Sequence, residues 1–587
     1  MRSADAPHAP RAARLALLAV LATTALAQAW TLTLSFQLDD YTLVWRPLEL
    51  FQLATDLDDS AVESYALRWT VWSLWAALDA VMPVPRSELP YHLLGLAMHL
   101  GVTALVFQVT RDLMRSIGRG GSASTEPAPS TGLVWAPTLA GLWFGVQAGH
   151  AQAFSWIAAW SDLMLTGAGL LAVGALLRAR LTDGEHRDAP RWPVALWTLL
   201  ALLTKTPSLA LPPILLWLAL LLPPPPLARD PRGLARRGHD AIAIGIAFGT
   251  GLAIRAAYLG SARPRYGGQT DLGPADLPRV LFAGVENVGQ AVAATVVDPL
   301  VADETLAVAG TSGSELGAAV VAATFLLWMV ARPDHWRLGL ALIGAVVAAA
   351  GPAGAIFGDI PNNVTARTAY QPLAFVAVAV GLALRGGWGR GGTLRAATGL
   401  LGLLLVATWA AGRADVVATE RLADAERRQH RSTLQAAAER VGSTGIVVLL
   451  DPPDGFAGVA QLGSLLRYAL LPDYWAGPRP EVVACGGLRQ LRATLEADRF
   501  RGRKAAVLMP VDATGVAPAE LRAGRWLHDA VADHDPWPTG DPAQGWTVEH
   551  GPLQTTISLP TPRPAFGFAG LSFAPAGAGS ARIRYLA

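Results

Sequence analysis

The sequence predicts a polytopic α-helical membrane protein that ends in a small α/β domain. Its 587 residues are 52% hydrophobic and only 16% charged, whereas a soluble domain carries about 25% charged residues. Long apolar runs recur as far as about residue 411, with lengths suited to the roughly 30 Å hydrocarbon core of a bilayer. The composition then becomes more polar. We therefore divide the chain into a membrane domain, residues 1–412, and an extracytoplasmic domain, residues 413–587.

About eleven membrane spans are predicted from these apolar runs. The fifth is short, and all boundaries are approximate. The spans lie near residues 15–36, 90–110, 133–149, 152–177, 193–204, 207–222, 240–259, 315–331, 338–355, 370–384 and 396–411. The first could instead be a cleaved signal peptide, since arginines precede it and Ala25-Leu26-Ala27 resembles a cleavage site. The apolar run continues well past Ala27, which favours a retained span.

Arginines set the predicted orientation, because cytoplasmic loops of membrane proteins are enriched in basic residues. The connections after the second, fourth, sixth, eighth and tenth spans are rich in arginine, and include Arg111, Arg115, Arg178, Arg180, Arg229, Arg232, Arg332, Arg337, Arg385 and Arg390. This pattern places those connections and the N-terminus in the cytoplasm. An odd number of spans then places the C-terminal domain outside the inner (plasma) membrane.

The C-terminal domain has an α/β pattern. Residues 413–442 are polar and predict a helix, and Gly445–Asp451 predicts a buried strand followed by a turn at Pro452-Pro453. Two further apolar stretches, 482–484 and 505–509, predict strands with helical segments between them. The tail from about 546 alternates apolar and polar residues, which is typical of antiparallel strands.

Charge and cysteine content exclude several functions. A net charge of +2 argues against a nucleic-acid partner. Cys485 is the only cysteine, so the chain has no internal disulfide and no cysteine metal cluster, and we expect Cys485 to be a small buried apolar residue. Only Lys205 and Lys504 are lysines among 47 basic residues, a bias that fits a GC-rich genome.

Polar residues collect at the predicted outer ends of the spans, where ionisable groups are costly and often functional. They are Asp39, Asp40, Tyr91, His92, His99, His150, Lys205, Arg255, Asp359, Arg367 and Tyr370. Each alone could be a solvated helix end, an interfacial anchor or a structural histidine. Together they suit transfer from an anionic lipid-linked donor, because cations would hold its phosphate and a carboxylate would accept a proton. Asp162, some 18 Å along the fourth helix from His150, is interpreted as a helix–helix partner.

The order of these residues resembles the GT-C superfamily of polyprenol-phosphate-dependent glycosyltransferases. The resemblance covers about residues 15–385. It is to the multi-span O-mannosyltransferases with tetratricopeptide repeats and to their bacterial relatives. The acid pair of the family's first loop resembles Asp39-Asp40, and its Tyr-His-x(6)-His resembles the segment from Tyr91 to His99. Its third-span motif and the Trp-Ile and Asp-Leu that follow resemble the stretch from Gln147 to Leu163. Its Ser-Lys-Glu resembles Thr204-Lys205-Thr206, and its Arg-x-x-Tyr-x-Pro resembles the stretch from Arg367 to Pro372.

Several positions depart from the family pattern. The motif glutamate is Gln152, the acid after the lysine is Thr206, and the first-loop Tyr-Arg-Pro is Leu67-Arg68-Trp69. The tetratricopeptide repeats are absent. With two acids missing, the resemblance leaves open both a divalent metal and the acceptor subsite, and it assigns no metal ligand and no certain cofactor.

The resemblance implies an inverting hexosyltransferase, whose site faces the outside of the membrane. Its donor would be a sugar on polyprenyl phosphate, and its acceptor an envelope glycan, lipid or protein. Asp40 would be the general base, with Asp39 as the second candidate. Arg68, Lys205 and Arg367 would bind the donor phosphate, and His92 and His150 would orient the substrates, with Arg255 and Tyr370 also in the binding site. The alternative is a non-catalytic transporter or lipid-binding scaffold that uses the same cationic pocket.

Overall fold

The computed structural model describes most of the helical part of the chain and the strands of its C-terminal part. The described residues are 8–37, 40, 68–82, 87–120, 132–147, 150–182, 190–221, 232–259, 278–282, 285–286, 289, 322–326, 336–356, 369–388, 392–450, 455–456, 459–460, 469–471, 474–485, 490, 494, 503–511, 547–550, 555–558, 567–576 and 580–586. The chain divides into two compact units. The first contains Met1–Leu34, Arg46–Ala80 and Leu89–Ala418, and the second contains Ser35–Trp45, Val81–Glu88 and Thr419–Ala587.

Helices dominate the described part of the first unit. Their bounds are α1 His8–Gln28, α2 Trp69–Val81, α3 Glu88–Gly120, α4 Gly132–Gly145, α5 Ala151–Ser155, α6 Trp160–Thr182, α7 Trp192–Leu202, α8 Leu211–Leu221, α9 Arg232–Leu259, α10 Trp336–Ile356, α11 Tyr370–Trp388 and α12 Gly392–Val441. The division between the units falls within α12. Short 3₁₀ helices cover Ala29–Thr33, Ile157–Ala159 and Thr206–Ala210.

Within the described residues, four stretches are long and apolar enough to cross a membrane: Arg11–Thr33, Glu88–Ser116, Ile157–Leu181 and Gly238–Ala257. Shorter apolar helices cover Trp192–Leu202, Pro207–Leu221, Trp336–Gly351 and Tyr370–Leu384. These elements coincide with predicted spans, so the helical character of the chain is confirmed. The number eleven stays a prediction. Of the predicted span 315–331, the structure describes only residues 322–326, which are helical.

The predicted fourth span is not one continuous helix. Trp156 adopts an extended conformation with φ −92° and ψ 113°, which separates α5 from the 3₁₀ turn that precedes α6. The break frees the carbonyl of Phe154, which accepts a hydrogen bond from Trp160 Nε1 at 3.1 Å. Gly95 makes room for it, because a β-carbon there would lie 2.0 Å from that oxygen. Asp162 therefore lies in the first turn of α6, and its expected position far down a continuous helix is wrong.

One carboxylate on α9 links the end of α6 to the start of α7. Asp240 on α9 accepts hydrogen bonds from Arg191 Nε at 2.7 Å and from Arg180 Nη2 at 3.3 Å. Arg180 lies in the last turn of α6, and Arg191 caps the N-terminus of α7. Arg180 also donates to the carbonyl of Ala219 on α8. The Asp240 side chain is 2% exposed and each arginine side chain is 11% exposed, so water screens these contacts little.

The second unit begins its sheet directly after α12. Gly442 ends the helix with φ +69°, and its N–H donates to the carbonyl of Ala438 at 2.9 Å, a left-handed cap that glycine adopts without strain. A five-stranded sheet follows in the order β4-β1-β5-β8-β9. Its strands are β1 Ile446–Leu450, β4 Glu481–Cys485, β5 Ala505–Val511, β8 Gly567–Ala576 and β9 Ser580–Leu586.

The sheet combines two kinds of pairing. Strand β1 is parallel to β4 and β5, whereas β8 and β9 add antiparallel strands. Val447, Val448 and Leu449 are fully buried, as expected for a central parallel strand covered on both faces. Two small antiparallel pairs join β2 Gly455–Phe456 to β3 Val459–Ala460 and β6 Thr547–His550 to β7 Thr555–Ser558. The predicted strands and antiparallel tail are thus confirmed, and Cys485 is buried.

Four buried polar residues form a stripe along α12, because they lie three or four positions apart: Glu420, Asp424, Arg427 and His430. Asp424 accepts hydrogen bonds from the N–H and the hydroxyl of Ser35, both at 2.6 Å, and from Arg428 Nε at 2.8 Å. Burial alone would raise the pKa of Asp424, but these bonds and the nearby Arg427 lower it below its usual value. Phe36 packs edge-on against Tyr474, with ring centroids 5.8 Å apart.

His430 on this stripe makes stability dependent on pH. Burial, and then the nearby Arg427, lower the pKa of His430 from 6.5 to about 3, so the unfolded chain binds a proton between these values and the folded chain does not. Stability is therefore complete above pH 6.5 and falls as the pH is lowered towards 3. Between pH 7 and 5 the free energy of unfolding should fall by about 2 kcal/mol through this group.

The variant His430→Leu should lose most of that decrease in denaturant titrations at the two pH values. A decrease of the same size in wild type and variant would contradict this assignment.

Candidate functional site

Two histidines and a tyrosine form the centre of a buried cluster in the first unit. His99 Nδ1 lies 2.6 Å from the hydroxyl oxygen of Tyr370, and His99 Nε2 lies 3.0 Å from the carbonyl oxygen of Gly145. The ring of His150 lies 4.7 Å from that of Tyr370 and 5.8 Å from that of His99, measured between centroids. All three side chains are fully buried. We call them the His–Tyr cluster.

Three separate elements bring the His–Tyr cluster together. His99 lies on α3, Tyr370 begins α11, and His150 lies in the turn before α5. The ring of Phe144 at the end of α4 packs 4.5 Å from that of His150 and 5.1 Å from that of Tyr370. Helix α1 supports the turn, because Gln28 Nε2 donates to the carbonyls of Gly145 and Gln147 at 3.1 and 3.0 Å.

Lys205 forms an ion pair beside this cluster. Its Nζ lies 2.6 Å from Oδ1 of Asp162, and the two side chains are 14% and 10% exposed. Asp162 also interacts electrostatically with Tyr370. Asp162 therefore pairs with a lysine from the turn between α7 and α8, whereas the sequence suggested a partner on another helix.

The turn at residues 203–205 contacts the helices that carry Arg68 and Arg255. Arg68 caps α2, and Thr70 of α2 bonds to the carbonyl of Leu203 and to the hydroxyl of Thr204, the latter at 2.8 Å. Gly251 on α9 packs against Leu202, where a β-carbon would lie 2.8 Å from Leu202 Cδ1. Arg255 is one helical turn further on the same face. Arg68 and Arg255 are 9% and 5% exposed.

The remaining predicted residues have separate surroundings. His92 Nε2 lies 2.9 Å from the carbonyl oxygen of Leu34. Asp40 belongs to the second unit, where its Oδ2 accepts from the N–H of Gln37 at 2.9 Å and its own N–H donates to the carbonyl of Gln37 at 2.8 Å. The side chain of Asp40 is fully buried. Asp39, Asp359 and Arg367 lie outside the described residues.

Two polar residues of this region escaped sequence reasoning. Gln371 on α11 is 7% exposed, and its Nε2 lies 3.5 Å from the position a β-carbon would take at Gly169 on α6. Gln28 on α1 is 1% exposed and holds the turn described above. In the sequence, each is a neutral amide within an apolar run. A neutral amide there indicates a functional site less strongly than a charged residue does. The family pattern did not include them.

The described residues contain no group of three or more His, Cys, Asp or Glu side chains placed to hold a metal ion. The site contains imidazole, phenol, amide, carboxylate and ammonium groups, which suit hydrogen bonding to hydroxyls and to phosphate. No family model matches the chain, and no curated protein matches it.

Proposed function

We propose that the protein is an inverting membrane glycosyltransferase of the GT-C type, which transfers a sugar from polyprenyl phosphate to an envelope glycan, lipid or protein. The observation that carries this proposal is a set of largely buried cations, Arg68, Lys205 and Arg255, on chain segments that meet at the turn at residues 203–205. Buried cations of this kind suit a phosphate anion, and the neighbouring imidazole and carboxylate suit sugar hydroxyls.

The membrane setting is part of the same proposal. In the part of the chain that the structure describes, four stretches have the length and apolar character of membrane spans. The arginine-rich connections favour eleven spans with a cytoplasmic N-terminus. In this orientation the His–Tyr cluster lies near the outer surface, where a polyprenyl-phosphate sugar would present its head group. The C-terminal unit would then lie outside the inner membrane.

The proposed reaction is a single displacement. The acceptor hydroxyl attacks the anomeric carbon and forms the new glycosidic bond, while the bond from that carbon to the phosphate oxygen breaks. The electron pair leaves with polyprenyl phosphate, whose charge the cations stabilise, and this stabilisation is the largest rate contribution. As the family resemblance implies, Asp40 is the proposed general base that accepts the hydroxyl proton. Its hydrogen bond from Gln37 fixes the orientation of the carboxylate.

Replacing Asp40 by asparagine should abolish transfer, because the amide keeps the shape of the side chain but cannot accept the proton. Purified protein in proteoliposomes would be given a panel of labelled polyprenyl-phosphate hexoses together with an envelope extract as acceptor. A fall of at least 100-fold is expected for a lost general base.

The exposed acid Glu439 provides the control, and Glu439→Gln should leave turnover unchanged. Normal turnover in a folded Asp40→Asn variant would remove Asp40 from the mechanism.

The alternative of a transporter receives less support. Transport of an anion across a bilayer favours charged residues near the middle of the spans. Asp162, the residue that the sequence placed deep in a span, lies in the first turn of α6 and pairs with Lys205. Binding of the lipid-linked sugar without turnover, together with its movement across proteoliposomes, would favour the alternative.

A further inference from the structure

Helices α7 and α9 lie side by side and run in the same direction. At their N-terminal ends, Arg191 Nε donates to the carboxylate of Asp240 at 2.7 Å. Towards their C-terminal ends, Gly251 packs against Leu202, where a β-carbon on the glycine would lie 2.8 Å from Leu202 Cδ1. Both contacts join residues that are 49 positions apart, so the two helices start at the same end of the pair.

A groove of about 460 Å³ opens between α7 and α9 at that common end. Arg191, Trp192 and His239 line it where the helices begin. Ala195, Ile242 and Ile246 continue the lining further along the helices. The lining residues of α9 span seven positions, which is about 10 Å along a helix. The groove therefore has a polar end and apolar walls.

Its apolar walls are open. Among the described residues, nothing covers most of the surface of Ile242 and Ile246, whose side chains are 58% and 62% exposed, and Trp192 at the polar end is 65% exposed. Exposed apolar surface of this kind suits the hydrocarbon of a lipid, and tryptophan is enriched where that hydrocarbon meets water.

The polar end carries a surplus of positive charge. Arg180 and Arg191 share the single carboxylate of Asp240, so this cluster has two positive groups and one negative group. The chain segments that lead into α7 and α9, residues 183–191 and 229–237, together contain six arginines and four acidic residues. The surplus therefore extends beyond the cluster, and it favours an anion at this end of the groove.

We propose that the groove binds one anionic phospholipid, with its headgroup phosphate beside Arg191 and an acyl chain along Ala195, Ile242 and Ile246. Basic pockets between membrane helices suit anionic headgroups. The volume lies at the lower end of the roughly 300–1,000 Å³ of small-molecule sites, so the groove holds the headgroup and the upper part of one chain. A free phosphate ion would leave the apolar walls uncovered, whereas an amphiphile matches both parts of the groove.

This site goes beyond the proposed transfer reaction and uses only its membrane setting. Helices α7 and α9 correspond to the fifth and seventh predicted spans, which run in the same direction in an alternating bundle. The predicted orientation puts their N-terminal ends at the cytoplasmic face, so the bound lipid belongs to the inner leaflet, where a negative surface potential reflects anionic lipids.

The experiment measures lipid binding to the purified full-length protein in detergent micelles. Phosphatidylglycerol or phosphatidylcholine is titrated in, and the bound lipid is counted by native mass spectrometry. The tightest-bound phosphatidylglycerol should bind about fivefold more strongly than phosphatidylcholine, which is the effect of one basic residue beside an anionic headgroup. Equal affinity of the wild type for the two lipids would overturn the inference.

One pair of variants tests the apolar walls. Ala195→Phe fills the groove without changing the ion pair at Asp240, and it should weaken phosphatidylglycerol binding at least fivefold. Ala241 is exposed and lies on another face of α9, so Ala241→Phe adds the same side chain outside the groove and should leave binding unchanged. Equal losses in the two variants would overturn the inference. A drop in thermal stability of Ala195→Phe without a change in lipid binding would do so too, because a segment of this chain would then fill the groove.

A second pair of variants tests the charge at the polar end. His239 is exposed, so its replacement should leave the fold intact. His239→Glu places a negative charge beside the headgroup and should abolish the preference for phosphatidylglycerol, whereas His239→Gln should keep it. A preference that survives in His239→Glu would overturn the inference. Sugar transfer is not part of this readout, so failure of the proposed transferase function and failure of the lipid site are separate results.

Discussion

Replacing Lys205 by methionine should lower the free energy of unfolding by about 3–5 kcal/mol, because removing one partner of a buried ion pair strands the other charge. The Nζ of Lys205 lies 2.6 Å from Asp162, and the side chains are only 14% and 10% exposed. Methionine fills nearly the same volume, so little of the loss would come from packing. The measurement is a denaturant titration in detergent micelles.

The double variant Lys205→Met with Asp162→Leu should regain most of the lost stability, because no unpaired charge remains. The double variant also tests function, since it should fold without transferring sugar if Lys205 binds the donor phosphate. If the double variant were as unstable as Lys205→Met, the unpaired charge of Asp162 would not be the cause of the lost stability. Full transfer by a folded double variant would remove Lys205 from the phosphate site.

Replacing Asp240 by leucine should have an effect of similar size, about 3–5 kcal/mol. The change leaves Arg180 and Arg191 without the carboxylate that joins them, and both arginine side chains are largely buried. The ends of α6 and α7 would lose their link to α9. The loss should appear as a lower denaturant midpoint, and transfer in the remaining folded protein should be unchanged because these residues lie away from the His–Tyr cluster.

A matched control is the exposed ion pair of Arg503 and Glu481, whose N–O distance is 2.9 Å and whose side chains are 26% and 41% exposed. Glu481→Gln should cost less than about 1 kcal/mol, as exposed pairs do. Adding Arg191→Leu to Asp240→Leu should recover part of the loss. Equal effects of Asp240→Leu and Glu481→Gln would contradict the importance of burial at Asp240.

Apolar runs and β-branched stretches predicted most of the described elements. Helix α3, the polar half of α12 and strands β1, β4 and β5 all follow from local patterns. The break at Trp156 does not, because residues 152–160 contain neither proline nor glycine. Tertiary contacts hold it open, namely the bond from Trp160 to Phe154 and the space at Gly95. A single sequence carries no local signal for such a contact.

The sequence predicted those residues of the site whose side chains are ionisable. His150, Lys205 and Tyr370 stood out because polar groups beside apolar spans are costly. Their pairing was not predictable, since Asp162 and Lys205 are 43 residues apart. Asp40 illustrates the other limit. Its position after the first span is typical of a solvated helix end, whereas its carboxylate is buried and accepts from the N–H of Gln37.

The lysine at position 205 is an exception to the composition of the chain. Almost every basic position in this chain is arginine, and Lys205 is one of only two lysines among 47 basic residues. A guanidinium is planar and broader than an ammonium, and at position 205 it would have to fit against the largely buried carboxylate of Asp162. Lysine and arginine are therefore not equivalent at this position, although both would carry the positive charge.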